Sequence, residues 1–250
     1  MGWYPRRTTD RTGDPKLMIP RKLTDGTEHR HQPSTAETEE ADVAPTPSMS
    51  TEDIRESYAR YAKWSARLDW INRLLTGRYR RRRFANAEGR VLDVACGTGT
   101  NFRYLPESVE IVGIDISEEM LRYARRELDV LDRKGTLVRM DAQSLEFETD
   151  SIDTVISSLS TCTFPDPILA LQEMKRVCIP DGRVLLVEHG RSDVGFIARY
   201  QEWRADAHYA KAGCRVTQEP LEVVEQAGLT VNGIERGQFG RITSVAASPE

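Results

Sequence analysis

Long apolar runs are missing from this chain. No stretch approaches the roughly 20 apolar residues that a membrane-crossing helix needs. The N-terminus also lacks the apolar core of a secretory signal, so the cytoplasm is the expected location. Nor is there an excess of one charge sign: 35 Lys and Arg stand against 39 Asp and Glu, for a net charge of −4. Such a balance gives no overall attraction to nucleic acid or to an anionic membrane. Cysteines are few and scattered. Cys96, Cys162, Cys178 and Cys214 show none of the close pairs of a zinc site, so reduced thiols and no bound metal are expected. What remains is a chain of 250 residues, long enough for one sizeable domain plus tails.

Composition changes sharply near residue 50. Residues 1–49 mix Pro, Thr, Asp, Glu and Arg without apolar periodicity, which predicts a disordered polar tail. Residues 50–88 read as N-terminal helices. Ser50 or Thr51 caps the first of them, and Ile54, Tyr58, Tyr61, Leu68, Ile71, Leu74 and Leu75 form an apolar stripe. The run Arg78-Tyr79-Arg80-Arg81-Arg82-Arg83-Phe84 reads first as a solvated helix face; its alternative is a weak peripheral membrane contact through Arg78 to Arg83.

The strongest motif follows. Val91-Leu92-Asp93-Val94-Ala95-Cys96-Gly97-Thr98-Gly99-Thr100 is a short β-branched run opening into a Gly-x-Gly turn and an expected helix, where backbone N–H groups approach a ligand. Ile111-Val112-Gly113-Ile114-Asp115 then ends a second strand on an acid that suits the two hydroxyls of a ribose. The third glycine of a dinucleotide turn is absent, and Phe102 stands in its place. Asp93, ahead of the turn, would repel a pyrophosphate and favour a cation. S-adenosylmethionine (SAM) has no phosphate, a positive sulfonium and an amino group.

On Asp93-x-x-x-Gly97-x-Gly99 and Asp115 the chain resembles the class I SAM-dependent methyltransferases over roughly residues 52–247. The resemblance implies a Rossmann-like α/β fold for residues 89–250, with a seven-stranded, mostly parallel sheet, helices on both faces and an antiparallel last strand. The alternation after the glycine turn agrees with a parallel sheet. Leu137 to Met140, Ile152 to Ser158 and Arg183 to Glu188 read as strands three to five, with Pro180-Asp181-Gly182 as the turn into the fifth. The cofactor residues expected are Asp93, Ala95, Gly97, Thr98, Gly99, Asp115, Ile116, Met120, Asp141, Ala142 and Ser158, with Asp141 matching the family's adenine contact. Residues 58–75 are similar to lead-in helices that lie over the cofactor in quinone-biosynthesis and related small-molecule methyltransferases, which places Tyr61 and Trp64 beside the acceptor.

Methyl transfer needs alignment and exclusion of water, and a general base only when the acceptor arrives protonated. His189, at the end of strand five, and His208 are the candidates. Glu188-His189, Cys162 and His208-x-x-x-x-Gly213-Cys214 look like a subgroup that contains thiol methyltransferases, which adds Cys162 to the acceptor side. The expected activity is methyl transfer from SAM to an N, O or S nucleophile of a small or lipid-like molecule, a phospholipid amine or alkyl thiol foremost. Quinone C-methylation and a non-catalytic SAM-binding scaffold are the alternatives. Nucleic acid is disfavoured as a partner, because Ser157-Ser158-Leu159-Ser160 stands where the base-gripping Asn/Asp-Pro-Pro-Tyr type motif would follow strand four.

Overall fold

The computed structural model of the chain describes residues 49–250. The segment expected as a disordered tail lies outside the described residues except for Met49, whose backbone N–H donates to the Tyr209 hydroxyl at 3.0 Å.

Seven strands, β1 (Arg90–Val94), β2 (Glu110–Asp115), β3 (Gly135–Arg139), β4 (Ile152–Ser158), β5 (Cys178–His189), β6 (Thr230–Gly237) and β7 (Ile242–Ser248), form one sheet. Their order is β3-β2-β1-β4-β5-β7-β6. β1 to β5 pair in parallel, and β7 runs antiparallel to β5 and β6, as the family resemblance implies. β1 has strands on both sides and helices on both faces, so its residues Val91, Leu92 and Val94 are all fully buried. On one face, α3 (Pro167–Val177) and α5 (Pro220–Gln226) set Leu171, Met174 and Val224 against Leu92, Val155 and Leu186. On the other, α2 (Glu118–Val130) and the end of α1 (Thr51–Phe84) set Leu121, Ala124 and Phe84 against Val91, Ile111 and Leu185. Each large side chain so buried contributes about 1.5–3 kcal/mol. β2 and β4 lie on opposite sides of β1, so the chain leaves the sheet centre in opposite directions there. A crevice opens at the C-terminal ends of β1 and β4.

Four expectations need correction. Residues 50–88 hold one 34-residue helix, α1, because the span from Thr51 to Phe84 has no proline and a single glycine, Gly77. Ser50 caps it, accepting from the Asp53 N–H, while the Asp53 carboxylate accepts from the Ser50 N–H at 3.0 Å. Its apolar stripe is not continuous core: Ile54 is buried, but Leu68, Ile71, Leu74 and Leu75 are exposed. The expected turn at Pro180-Asp181-Gly182 lies inside β5, where the pairing jumps from Ile152↔Cys178 to Thr154↔Arg183 and the extra residues bulge out. After Gly99 comes no helix but a 3₁₀ turn, Phe102–Tyr104.

The arginine run is a solvated face only in part: Arg78, Arg81 and Arg82 are exposed, whereas Arg80 turns inward. Helical spacing carries the inward face from Thr76 through Tyr79, Arg80 and Phe84, all buried. Arg83 reaches the Ser244 hydroxyl at 2.8 Å, Arg82 pairs with Glu235 at 2.8 Å, and Arg78 lies over the Tyr79 ring. The exposed cations of the run are thus three and not consecutive throughout.

Candidate active site

The two glycines of the turn do different jobs. Gly97 has φ +56, and a Cβ built on it would meet nothing within 4 Å, so its backbone faces open space. A Cβ on Gly99, at φ +80, would come within 2.7 Å of the Phe102 ring and 3.1 Å of the Ala124 Cα, so that position serves packing against α2. Phe102 is fully buried beneath the turn.

Asp115 ends β2 with its carboxylate already oriented. Oδ2 accepts from the Gly97 N–H and Oδ1 from the Ser117 N–H, both at 2.9 Å, and the remaining lone pairs are free for a ligand. Ser117 caps α2 by accepting from the Met120 N–H, with Glu118 and Glu119 in the first turn. Asp93 is fully buried beneath the turn and accepts from Asn101 Nδ2 at 3.0 and 3.2 Å. Burial pushes the Asp93 carboxyl up to about 7 and that of Asp115 up to about 6.

At these strand ends lies a cavity of about 620 Å³, the size of a small-molecule site. One end is walled by Ala95, Gly97, Thr98, Asp115, Ile116 and Met120, continuing to Asp141, Ala142 and Ser158. Across it runs α1, contributing Tyr58, Tyr61, Trp64 and Leu68. α4 (Gly195–Ala212) closes the far side with Arg204, His208 and Lys211. α1 is tied to the glycine turn by a hydrogen bond from the Thr100 hydroxyl to Asp69, itself paired with Arg73 at 3.0 Å.

Several polar groups here are unspent. Arg80 Nε and Nη1, Asn101 Oδ1 and Ser158 Oγ are buried with no partner among the described residues, and all three residues line the cavity. A buried polar atom left unpaired costs about 1–3 kcal/mol. Together with Asp115 and Asp141 they fit a ligand that carries a cation, a carboxylate and a ribose: the residues present suit SAM. Burial lowers the pKa of Arg80, opposed by the charges around it, of which Asp69 and Asp93 are two.

Of the sequence-selected residues, Tyr61, Trp64 and His208 line the cavity, as do all the expected cofactor residues except Asp93 and Gly99, which lie behind its wall. His189 and Cys162 do not line it. They meet Cys214 instead. Cys162 Sγ and Cys214 Sγ are 3.2 and 3.1 Å from His189 Nε2 and 3.2 Å from each other. The scattered cysteines thus do not stay apart in the fold. The hydrogen bond shared with Cys214, and burial, push the Cys162 thiol up; donation from Cys162 and then from His189 holds the Cys214 thiol below the ordinary range. Burial pulls the His189 imidazole down, but the bond to Cys214 outweighs it and leaves it raised.

Sequence reasoning missed Arg80, Asn101 and Tyr58. For Arg80 a signal was present, since it falls four residues after Thr76 and four before Phe84 on one helical face.

Comparison with known proteins bears on this geometry. The methyltransferase domain family matches residues 92–186. The phosphatidylethanolamine N-methyltransferase of Cereibacter sphaeroides is 32% identical over 200 residues, 74% of this chain and 96% of that protein. A mitochondrial methyltransferase of Saccharomyces cerevisiae is 28% identical over 193 residues, 70% of this chain and 41% of that longer protein. A chain from the complex between the Trm112 methyltransferase activator and a methyltransferase of Haloferax volcanii shares the fold, with a TM-score of 0.63 at 20% identity, over 77% of this chain and 98% of that one. With a glycine turn, a ribose-suited acid and unspent polar groups around one cavity, and with a relative this similar over nearly its whole length, the chain belongs to the class I SAM-dependent methyltransferases, with SAM as its cofactor.

Proposed function

We propose that the acceptor is a small or lipid-like molecule with an N, O or S nucleophile, and that a phospholipid amine is its foremost form, ahead of an alkyl thiol. The observation that carries this reading is the α1–α4 wall: Arg204 and Lys211 line the same cavity as Trp64 and Leu68, which are 61% and 48% exposed. Two cations beside an apolar rim suit a phosphate headgroup with hydrocarbon chains. The similarity to a phosphatidylethanolamine N-methyltransferase supports the same reading. Membrane contact, on this view, runs through the apolar rim and not through the arginine run.

SAM, when bound, supplies a methyl group already activated by its sulfonium. The chain's own residues then bind, orient and exclude water. Asp115 would accept from the ribose hydroxyls, Asp141 would meet the adenine, and Arg80 would pair with the carboxylate. Asp93 and Asp115 add negative potential to a low-dielectric site. Tyr61 shields the reacting centre, and Trp64 covers the acceptor's hydrocarbon at the rim. His208, on the cavity wall, takes the proton from an ammonium or thiol acceptor.

A transfer assay with labelled SAM tests the proposal, using phosphatidylethanolamine vesicles, an alkyl thiol and a demethylated quinone side by side. Label in the phospholipid is expected. Label confined to the quinone would overturn the reading in favour of C-methylation, and SAM binding without transfer to any acceptor would favour a scaffold.

A further inference from the structure

Three donor atoms from three distant segments converge outside the cavity. Cys162 sits in the 3₁₀ turn Thr161–Thr163 after β4, His189 ends β5, and Cys214 directly follows Gly213, the left-handed residue that ends α4. Each pair of donor atoms is 3.1–3.2 Å apart. The surroundings hold them there. The Arg215 N–H donates to the Cys162 carbonyl at 2.9 Å, and the Arg215 guanidinium donates to the carbonyls of Phe164 and Pro165 at 2.7 and 3.1 Å. The two sulfurs are unbonded thiols and are buried.

We propose that Cys162 Sγ, Cys214 Sγ and His189 Nε2 bind a zinc(II) ion, with a fourth position left to a ligand from outside this cluster. Zinc takes thiolate sulfur at about 2.3 Å and imidazole nitrogen at about 2.0–2.1 Å, so tetrahedral donors stand about 3.5–3.8 Å apart. The cluster reaches that geometry by opening about half an ångström. Soft thiolates with an imidazole favour zinc over magnesium or calcium, whose ligands are oxygens. Two thiolates neutralise the ion, so the buried site carries no net charge. Among the described residues no fourth His, Cys, Asp or Glu completes the set, and three protein ligands with an open place is the make-up of reactive zinc sites. The ion would clasp the end of α4, and so the wall that carries His208, to the ends of β4 and β5. This site does not depend on which acceptor the enzyme methylates.

The test is metal binding by the full chain, purified under reducing anaerobic conditions, stripped with a chelator and titrated with cobalt(II). One equivalent should bind, with sulfur-to-cobalt charge-transfer absorption sized for two thiolates and the visible bands of four-coordinate cobalt, and zinc should displace it. Cys162→Ser, Cys214→Ser and His189→Ala should each weaken binding by about 100-fold or more, since even changes to groups behind the ligands cost 10–100-fold. Cys178→Ala should leave the spectrum unchanged, and SAM affinity reports folding of every variant. No charge-transfer band in the wild-type chain overturns the proposal. So does a bound ion that survives all three ligand substitutions, or a Cys162–Cys214 disulfide in the freshly isolated, metal-free protein. If a ligand variant fails to fold, the wild-type band intensity still decides between two thiolates and none.

Discussion

At the β1–β2 end of the cavity the polar groups are held in place: Asp115 by two backbone N–H donors and Asp93 by the Asn101 side-chain amide against the turn. At the α1–α4 end the rim side chains project from a helix and stand largely in solvent, with Trp64 61% and Leu68 48% exposed. The first end is preorganised at the sheet edge and has little freedom to lose when a ligand arrives. The second has apolar area still to bury, and its contacts are completed by whatever acceptor enters. Cofactor recognition should therefore be sensitive to single atoms and to charge, while acceptor recognition should be spread over area and tolerate substitution.

The largest expected effect probes the one acceptor-side residue assigned a chemical step. His208→Ala should lower turnover by about 10²-fold with SAM affinity unchanged, because a general base acts only in the transition state. Single-turnover rates and calorimetry with SAM separate the two. Unchanged turnover would return His208 to the cavity wall and leave alignment and desolvation as the mechanism.

At the cofactor end, Asp115→Ala should weaken SAM by about 30-fold or more. It removes a charged acceptor for two hydroxyls, each such bond being worth about 1.5–3 kcal/mol, and it frees the Gly97 and Ser117 N–H groups. An unaltered calorimetric Kd in a folded variant would break the comparison, since this end would then be no more demanding than the other.

The same end should respond to pH. In the free protein the Asp93 and Asp115 carboxyls are raised to about 7 and about 6, so they take up protons as pH falls through those values. Cationic SAM favours the ionised forms, and binding must expel those protons. Kd should be level above about pH 8 and rise by about 10-fold per pH unit below 6 for each proton released. Stability of the free chain moves the other way. Between about pH 4 and 7 its folded state holds more protons than the unfolded chain, so these two groups make stability fall as pH rises. A Kd independent of pH from 5 to 8 would show that both carboxylates are ionised throughout.

How much of this was legible beforehand follows from the range of the interactions. Asp93, Gly97, Gly99 and Asp115 are one strand, a turn and the next strand, so their chemistry is local and the spacing carries it. Arg80 was hidden by composition. Five arginines in six residues suggest solvent, and only the helical period linking Thr76, Arg80 and Phe84 turns one of them inward. The sulfur–imidazole cluster was hidden by distance along the chain: Cys162 and Cys214 are 52 residues apart, and no spacing rule joins them. The unbroken α1 could have been read from its lack of proline, whereas the bulge in β5 depends on pairing with β4 that a turn-like Pro-Asp-Gly does not reveal.

A smaller effect comes from Arg80. Arg80→Met keeps the length of the buried side chain and removes a cation whose Nε and Nη1 have no partner among the described residues. SAM affinity should fall by about 10-fold as the carboxylate loses its counter-ion. The melting temperature of the SAM-free protein should stay level or rise, because replacing a buried charge by apolar volume is often neutral or stabilising. A purely structural Arg80 would give the opposite pattern, with a lower melting temperature and unchanged SAM binding.

The smallest effect belongs to the exposed rim. Trp64→Ser removes a ring that is mostly in solvent, so stability should change by no more than about 0.5 kcal/mol, in keeping with other surface positions. SAM affinity should also hold, because the residues proposed for the cofactor's polar groups, Asp115, Asp141 and Arg80, do not include Trp64. What should move is KM for a lipid-like acceptor, upward by about three- to tenfold, since an aromatic ring that covers hydrocarbon contributes in proportion to the area it buries. Turnover at saturation should stay near wild type, the mark of a contact made equally in ground and transition states. Steady-state assays on phospholipid vesicles and on a short-chain soluble analogue decide it: a KM rise confined to the vesicles fits a rim that meets hydrocarbon. A rise in SAM Kd instead would mean that α1 shields the cofactor, and that the two ends of the cavity are less separate than their construction implies.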